Sequence, residues 1–216
     1  MPQSSTTAGS DGKAASQRRE QLLRSALEVI VARGYADTRI ADVAEHAGTS
    51  PALIIYYFKT RDQLLTEALR YSEDGWYAAG TQRLAAITSA AGRLAELIAM
   101  TCLPDTDPNA RTEWLLWLDL WALSPRNPGV ADVRRKFDER WREAISTIVL
   151  AGIDSGEFSP RVDADEFAIT LSALLDGMAV QIALEDQDVP PSRAYDLAMR
   201  FAAGQLGFAW DSSAGG

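Results

Sequence analysis

The sequence predicts an all-α protein of about nine helices. Apolar side chains recur at spacings of three and four residues through most of the chain, which is the period of an amphipathic helix. No stretch alternates apolar and polar residues for long enough to predict a strand. Proline or glycine stands at nearly every boundary between helical segments, because neither residue continues a helix well. The 216 residues suffice for one ordinary domain, or for a small module joined to a larger one.

The first helices are short and closely spaced. Residues 1–15 are small and polar, and we expect them to form a disordered arm. A helix from residue 16 has its C-terminal cap at Gly34, and a second over 39–46 is capped by Asp37 or Thr38. Thr49 or Ser50 caps a third helix, whose first residue is proline. Two short helices joined by a tight turn match the helix-turn-helix plan, in which the second helix enters the DNA major groove.

The later helices are longer. The fourth begins at 60–62 and continues towards 76, and the next five are predicted over 88–102, 107–124, 127–156, 163–185 and 190–210. We therefore expect a DNA-binding domain over 16–65, a second domain over 66–210 and a disordered tail over 211–216.

The composition excludes several classes of protein. One cysteine, Cys102, rules out a disulfide framework, and with the single histidine, His46, it argues against a His- or Cys-based metal site. Classical Ser-His-Asp catalysis would have to use His46. We predict no metal, no cofactor and no enzymatic activity. No run of eighteen apolar residues and no apolar signal core occur, so we expect a cytoplasmic protein without a membrane partner.

The net charge of −9 opposes DNA binding at first sight, because phosphates attract lysine and arginine. The charge is divided unevenly: residues 1–65 hold eight basic and seven acidic side chains, whereas residues 66–216 hold thirteen and twenty-three. The first 65 residues are therefore a separate electrostatic unit with a charge of +1.

The segment from Thr38 to Leu65 resembles the DNA-binding segment of TetR-family transcriptional regulators. The shared features are Ile-Ala-x-x-Ala followed by Ala-Gly-Thr-Ser, a short helix ending in Tyr-Tyr-Phe, and then Lys59 and a leucine pair. Thr49 stands where valine is commoner, and Ile55 where many members have a tyrosine that contacts phosphate. Leu53 to Phe58 resembles the branch that includes the betaine-pathway repressor. The resemblance is strong over 17–70 and rests elsewhere on length, helix count and Leu175-Asp176-Gly177.

The resemblance implies a set of DNA contacts and a double-stranded operator as partner. Hydroxyl-capped helix N-termini support it independently, because they direct free N–H groups and the positive end of the helix dipole at anions. Some of these residues also have structural roles as helix caps or as core residues. The implied contact residues are Thr38, Arg39, Thr49, Ser50, Pro51, Ala52, Tyr56, Tyr57 and Lys59.

The second domain contains a candidate ligand pocket. Three tryptophans at i, i+3 and i+7 lie on one helix face and define a wall, on which other large residues could converge. Plain core packing is the alternative. The predicted lining residues are Met100, Trp114, Trp117, Trp121, Phe137, Trp141 and Met178. The expected effector is an apolar or aromatic small molecule. A cationic one is the alternative, with Asp119 or Glu113 as its counter-ion, although Asp119 could equally pair with a nearby arginine.

The last two helices have more apolar surface than one chain needs, which predicts a homodimer through a four-helix bundle. The predicted interface residues are Leu171, Leu174, Leu175, Ile182, Leu197, Ala198 and Phe201.

Together these features predict a ligand-responsive, DNA-binding transcriptional regulator: a homodimeric repressor released from a palindromic operator by a small molecule. Two alternatives remain open. One is a helical ligand- or partner-binding protein without specific DNA binding, and the other is an enzyme that uses the C-terminal pocket.

Overall fold

The computed structural model describes residues 7–103 and 110–210. Within those residues the chain forms nine α-helices and no strand, so the predicted fold class is confirmed. A 3-10 turn over Ser124–Arg126 separates the sixth helix from the seventh. The helices are α1 (Thr7–Arg33), α2 (Ile40–His46), α3 (Pro51–Phe58), α4 (Arg61–Ala85), α5 (Ala90–Cys102), α6 (Ala110–Leu123), α7 (Pro128–Asp154), α8 (Ala164–Ala183) and α9 (Pro191–Leu206).

Local sequence signals explain most helix ends. The Ser50 hydroxyl accepts a hydrogen bond from the Leu53 N–H and begins α3, and the Asp163 carboxylate accepts from two backbone N–H groups at the start of α8. Gly34 and Gly207 adopt φ values of 84° and 79° and end α1 and α9. Only glycine adopts this left-handed conformation without steric cost.

The predicted cap of α2 is wrong. The N-cap position belongs to Arg39, whose backbone N–H donates to the Asp42 carboxylate at 2.9 Å. Thr38 instead donates its hydroxyl to the carbonyl of Gly34 at 2.8 Å, closing the turn between α1 and α2.

The expected disordered arm needs correction. Residues 7–15 lie in α1, which begins at Thr7 rather than at residue 16, so 16–33 are only its second part. A polar segment can continue an existing helix, because propagation costs far less than nucleation. Residues 1–6 and the predicted tail 211–216 lie outside the described residues.

The chain divides into two compact units whose boundaries differ from the expected division at 65/66. The first unit contains Met1–Gly75 and Asp119–Val133, and the second contains Trp76–Leu118 and Arg134–Gly216. The division therefore falls inside α4, α6 and α7, where a search for linkers in the sequence would not place it.

The first unit buries the apolar faces of α1, α2, α3 and the start of α4. Leu22, Ile54, Phe58 and Leu64 are fully buried. Burying one such side chain stabilises the fold by about 1.5–3 kcal/mol. This packing fixes the inward face of α3 and leaves its opposite face in solvent.

The second unit has a continuous core between α5, α7, α8 and α9, in which Leu94, Ile98, Ile145, Leu171 and Met199 are fully buried. Among the described residues, α8 is long and apolar enough by length and composition to cross a membrane. A core helix passes the same test, and eight residues of α8 are buried inside this chain.

Candidate DNA-binding surface and ligand pocket

The outward face of α3 is an exposed surface with large side chains. Ile55 is 46% exposed and Tyr56 is 70% exposed, and both stand out because large apolar and aromatic side chains are usually covered. Ser50, Pro51 and Ala52 are also exposed at the beginning of the helix. The arrangement offers free backbone N–H groups, an aromatic ring and an apolar side chain to a partner.

Lys59 is held at the end of this face. Its ammonium group donates to the Tyr56 carbonyl at 2.8 Å and lies 5.4 Å from the centre of the Tyr56 ring. The residue has a φ of 62°, which L-residues adopt rarely and at a cost. Tyr56 also contacts Tyr57 edge-to-face, with ring centres 5.4 Å apart. The positive charge and the exposed tyrosine thus form one ordered pair.

One predicted DNA contact is wrong at the level of its side chain. Thr38 is 0% exposed, and its hydroxyl is used inside the turn, so it cannot reach a phosphate. Arg39 is exposed, and Thr49 and Tyr57 are partly exposed. These three residues, with the exposed residues of α3 and Lys59, stay predicted contacts.

The turn between α1 and α2 is gripped from two sides within the first unit. Arg61 of α4 donates to the carbonyls of Tyr35, Ala36 and Thr38. The Asp119 carboxylate of α6 accepts the Tyr35 N–H at 2.8 Å. Asp119 is therefore a fastening point for the turn that leads into the helix-turn-helix segment. Its predicted alternative role as a ligand counter-ion is wrong, as is its pairing with an arginine; the side chain of Glu113 lies outside the described part.

Aromatic side chains cluster in the second unit. Trp117 contacts Phe137 with ring centres 5.5 Å apart, and Trp141 contacts Trp76 at 5.6 Å. Trp76 also contacts Tyr77 edge-to-face. The sequence reasoning missed Trp76 and Tyr77, because the pattern of α4 gave no reason to separate them from other surface residues. Ring pairs of this kind form apolar walls with electron-rich faces.

The predicted three-tryptophan wall is split. Trp117 lies in the aromatic cluster, whereas Trp121 belongs to the first unit. Trp114 lines a separate cleft of about 360 Å³ at the α8–α9 junction, beside Glu185 and Asp186. Met178 packs against the core of the second unit, and Met100 lies against α4, where a side chain at Gly80 would be 2.8 Å from its methyl group.

Two carboxylates lie next to the aromatic cluster. Asp138 of α7 is hydrogen-bonded to Arg134, one turn earlier on the same helix, and burial raises its pKa above the ordinary value. Burial also raises the pKa of Asp176 on α8 to about 6, and the nearby charge of Asp138 raises it further, while Arg134 and Arg142 act in the opposite direction. A carboxylate with a strongly raised pKa is a candidate for a functional role.

The predicted dimer residues fall into two groups. Leu171, Leu175 and Ala198 are fully buried inside one chain, so they cannot also form an interface, and for them the prediction is wrong. Leu174, Ile182 and Phe201 are partly buried and pack against the same core, while Leu197 is 36% exposed. The solvent-facing stripe of α8 instead carries Ile169 and Leu184, and a side chain at its Gly177 would meet nothing within 4 Å.

The described residues contain no group of three or more His, Cys, Asp or Glu side chains able to hold a metal ion. Cys102 is buried, and burial raises the pKa of its thiol to about 12. A buried, protonated thiol is a poor nucleophile.

Comparison with known proteins identifies the class. Residues 22–68 match the family described as bacterial regulatory proteins, tetR family, and residues 91–207 match the family described as BetI-type transcriptional repressor, C-terminal. The second match covers more than half of the chain, so the chain belongs to the TetR family of bacterial transcriptional regulators. The predicted resemblance is confirmed, and so is the prediction that the protein is not an enzyme, because members of the family are regulators.

Individual relatives agree with this assignment. The chain is 30% identical over 190 residues to the HTH-type transcriptional regulator BetI 1 of Chromohalobacter salexigens, covering 88% of this chain and 90% of that protein. It is similar to the structure of a transcriptional regulator from Saccharomonospora viridis in complex with choline, with a TM-score of 0.79 and 31% identity, covering 88% of this chain and 98% of the other. A TetR-family regulator from a Rhodococcus species gives a TM-score of 0.78 at 26% identity, covering 88% and 99%.

Proposed function

We propose that this regulator is a homodimeric repressor that binds a near-palindromic operator through α2 and α3 and is released by a small organic cation of the choline type. The observation that carries the DNA-binding part is the exposed face of α3, with Tyr56 and Lys59 held as an ordered pair. In helix-turn-helix proteins the second helix reads base edges while flanking cations position it on phosphates. Such a regulator acts where the chromosome lies, in the cytoplasm.

The dimer is supported by an apolar stripe that one chain leaves in solvent. Ile169 and Leu184 on α8 are 58% and 66% exposed, and Leu197 on α9 is also exposed. Gly177 and Gly204 interrupt the stripe, and a side chain at either position would meet nothing within 4 Å. Small residues permit close approach of helices, so two copies can pack α8 and α9 into a four-helix bundle.

The effector class is supported by the aromatic cluster and by the relative that binds choline. The rings of Trp76 and Trp141 meet edge-to-face, which leaves ring faces available, and a quaternary ammonium group is attracted to such faces. The relative with choline bound shares this fold at 31% identity over most of both chains. An effector that lowers operator affinity a hundredfold needs about 2.7 kcal/mol of preference for the non-binding conformation.

A DNA-binding experiment tests the proposal. Purified protein is titrated against labelled fragments of its own promoter region and against scrambled fragments of equal length, at several salt concentrations. We expect one palindromic site, two chains per site and a steep loss of affinity with salt. Lys59→Ala should lower affinity for all fragments and reduce the salt slope by about one.

The matched control is Arg161→Ala, which removes an exposed positive charge from a loop of the second unit. It should leave operator affinity unchanged. Equal affinity for promoter and scrambled DNA, or equal effects of Lys59→Ala and Arg161→Ala, would contradict DNA binding through α3.

A further inference from the structure

Asp176 on α8 faces one row of α7. The three charged groups that act on its carboxylate are Arg134, Asp138 and Arg142, spaced four residues apart, so they lie along one stripe of that helix. Asp176 itself is only partly exposed and follows the fully buried Leu175. Its carboxylate therefore points between two packed helices of the second unit rather than into open solvent.

The carboxylate of Asp176 has no direct partner among the residues that the structure describes. Arg134 donates its hydrogen bond to Asp138, so that pair is mutually satisfied. Arg134 and Arg142 act on Asp176 through space only. A partly buried carboxylate without a bonded partner is costly, because it has lost part of its hydration and gained nothing direct in return.

The aromatic row of α7 is next to this charged row. Phe137 and Trp141 precede Asp138 and Arg142 by one position each, which places the two rows about 100° apart on the helix. Phe137 contacts Trp117, and Trp141 contacts Trp76. The second unit thus places an unpartnered carboxylate beside electron-rich rings.

We propose that Asp176 is the counter-ion of an organic cation bound against the Trp76 and Trp141 rings. This inference rests on the proposed function and names the charge-bearing partner of its effector. A methylated ammonium has no N–H group to donate, so it suits a site with a negative charge and ring faces but few hydrogen-bonding groups. The attraction is electrostatic and greater at a partly buried position than at the surface.

The competing explanation is that Asp176 only balances Arg142 in the folded protein. The two explanations predict opposite results for a substitution at Arg142. If the pair is structural, Asp176→Asn and Arg142→Gln should both weaken ligand binding through the same loss of structure. If Asp176 is the counter-ion, Arg142→Gln removes a positive charge that repels the ligand, so the affinity for a cation should rise or stay constant.

The experiment compares choline with its uncharged carbon isostere, 3,3-dimethylbutan-1-ol, by isothermal titration of the full-length dimer. We expect wild-type protein to bind choline at least tenfold more tightly than the isostere. Asp176→Asn should weaken choline binding about tenfold or more and leave the isostere unaffected, whereas Arg142→Gln should not weaken choline binding. Glu185→Gln is the matched control, because it removes a carboxylate from the cleft at Trp114.

Several results would overturn the inference: equal affinity of wild type for choline and the isostere, no choline binding at millimolar concentration, unchanged choline binding by Asp176→Asn, or equal losses in Asp176→Asn and Arg142→Gln. A larger loss in Glu185→Gln would move the site to the cleft and would also overturn it. Operator release is measured separately. Tight choline binding through Asp176 without release from DNA would refute the proposed function and leave this inference standing.

Discussion

Replacing Asp176 with asparagine should stabilise the ligand-free protein at neutral pH. Burial, followed by the charge of Asp138, raises the pKa of Asp176 from the ordinary 3.8 to about 6. The folded state therefore binds its proton more tightly than the unfolded state does, and charging the group above pH 6 costs folding free energy. The difference between the two pKa values corresponds to at most about 3 kcal/mol.

The sign of the pH dependence follows directly. Below pH 3.8 the carboxyl group is neutral in both states, so asparagine and aspartic acid should give similar unfolding free energies. The penalty on the wild type grows between pH 3.8 and about 6 and is constant above that range. The advantage of Asp176→Asn should therefore be small at pH 4 and full at pH 8.

Urea unfolding of both proteins at pH 4, 5, 6 and 8, followed by circular dichroism, measures this difference. Glu185→Gln, at an exposed position, is the control and should change the unfolding free energy little at any of these pH values. A difference between Asp176→Asn and wild type that does not vary with pH, or a destabilised Asp176→Asn at pH 8, would refute the reasoning.

Three further substitutions test local structure by thermal or urea unfolding. Ser50→Ala removes the cap of α3 and should cost about 1 kcal/mol; no loss would show that the cap is dispensable. Gly152→Ala places a methyl group inside the Phe158 ring and should cost about 1–3 kcal/mol, whereas a neutral effect would mean that the ring moves freely. Asp119→Ala leaves the Tyr35 N–H without its acceptor and should cost about 1–3 kcal/mol; unchanged stability would argue that water replaces the carboxylate.

Helix positions were largely predictable because the signals are local. The predicted helix over 88–102 compares with Ala90–Cys102, and Ser89 caps it through a hydrogen bond to the Gly92 N–H. Proline at the first position of α3, α7 and α9 marks three helix starts in the same way. The extension of α1 to Thr7 was not predictable, because a polar segment has no apolar period to reveal it.

The site was less predictable because it depends on contacts between distant segments. The spacing of Trp114, Trp117 and Trp121 correctly places them on one face of a helix, but α6 passes from one unit into the other, so the three do not line one pocket. Similarly, apolar residues cover most of α8, and the sequence does not say which side is buried. Leu171 turned inward and Ile169 outward.

Asp176 illustrates the same limit. In the sequence it is one acidic residue in an apolar helix, and only the packing of α8 against α7 brings it near Arg134, Asp138 and Arg142. Asp119 showed the reverse, since its position near the tryptophans suggested a ligand contact, whereas it fastens the turn at Tyr35.

The most direct test of the account is the effect of choline on the complex with operator DNA. Fluorescence anisotropy of a labelled palindrome from the protein's own promoter region is recorded at physiological salt while choline or its uncharged isostere is added. The account predicts that choline releases the DNA and that the isostere at the same concentration does not. DNA that stays bound at saturating choline, or equal release by both compounds, would contradict it.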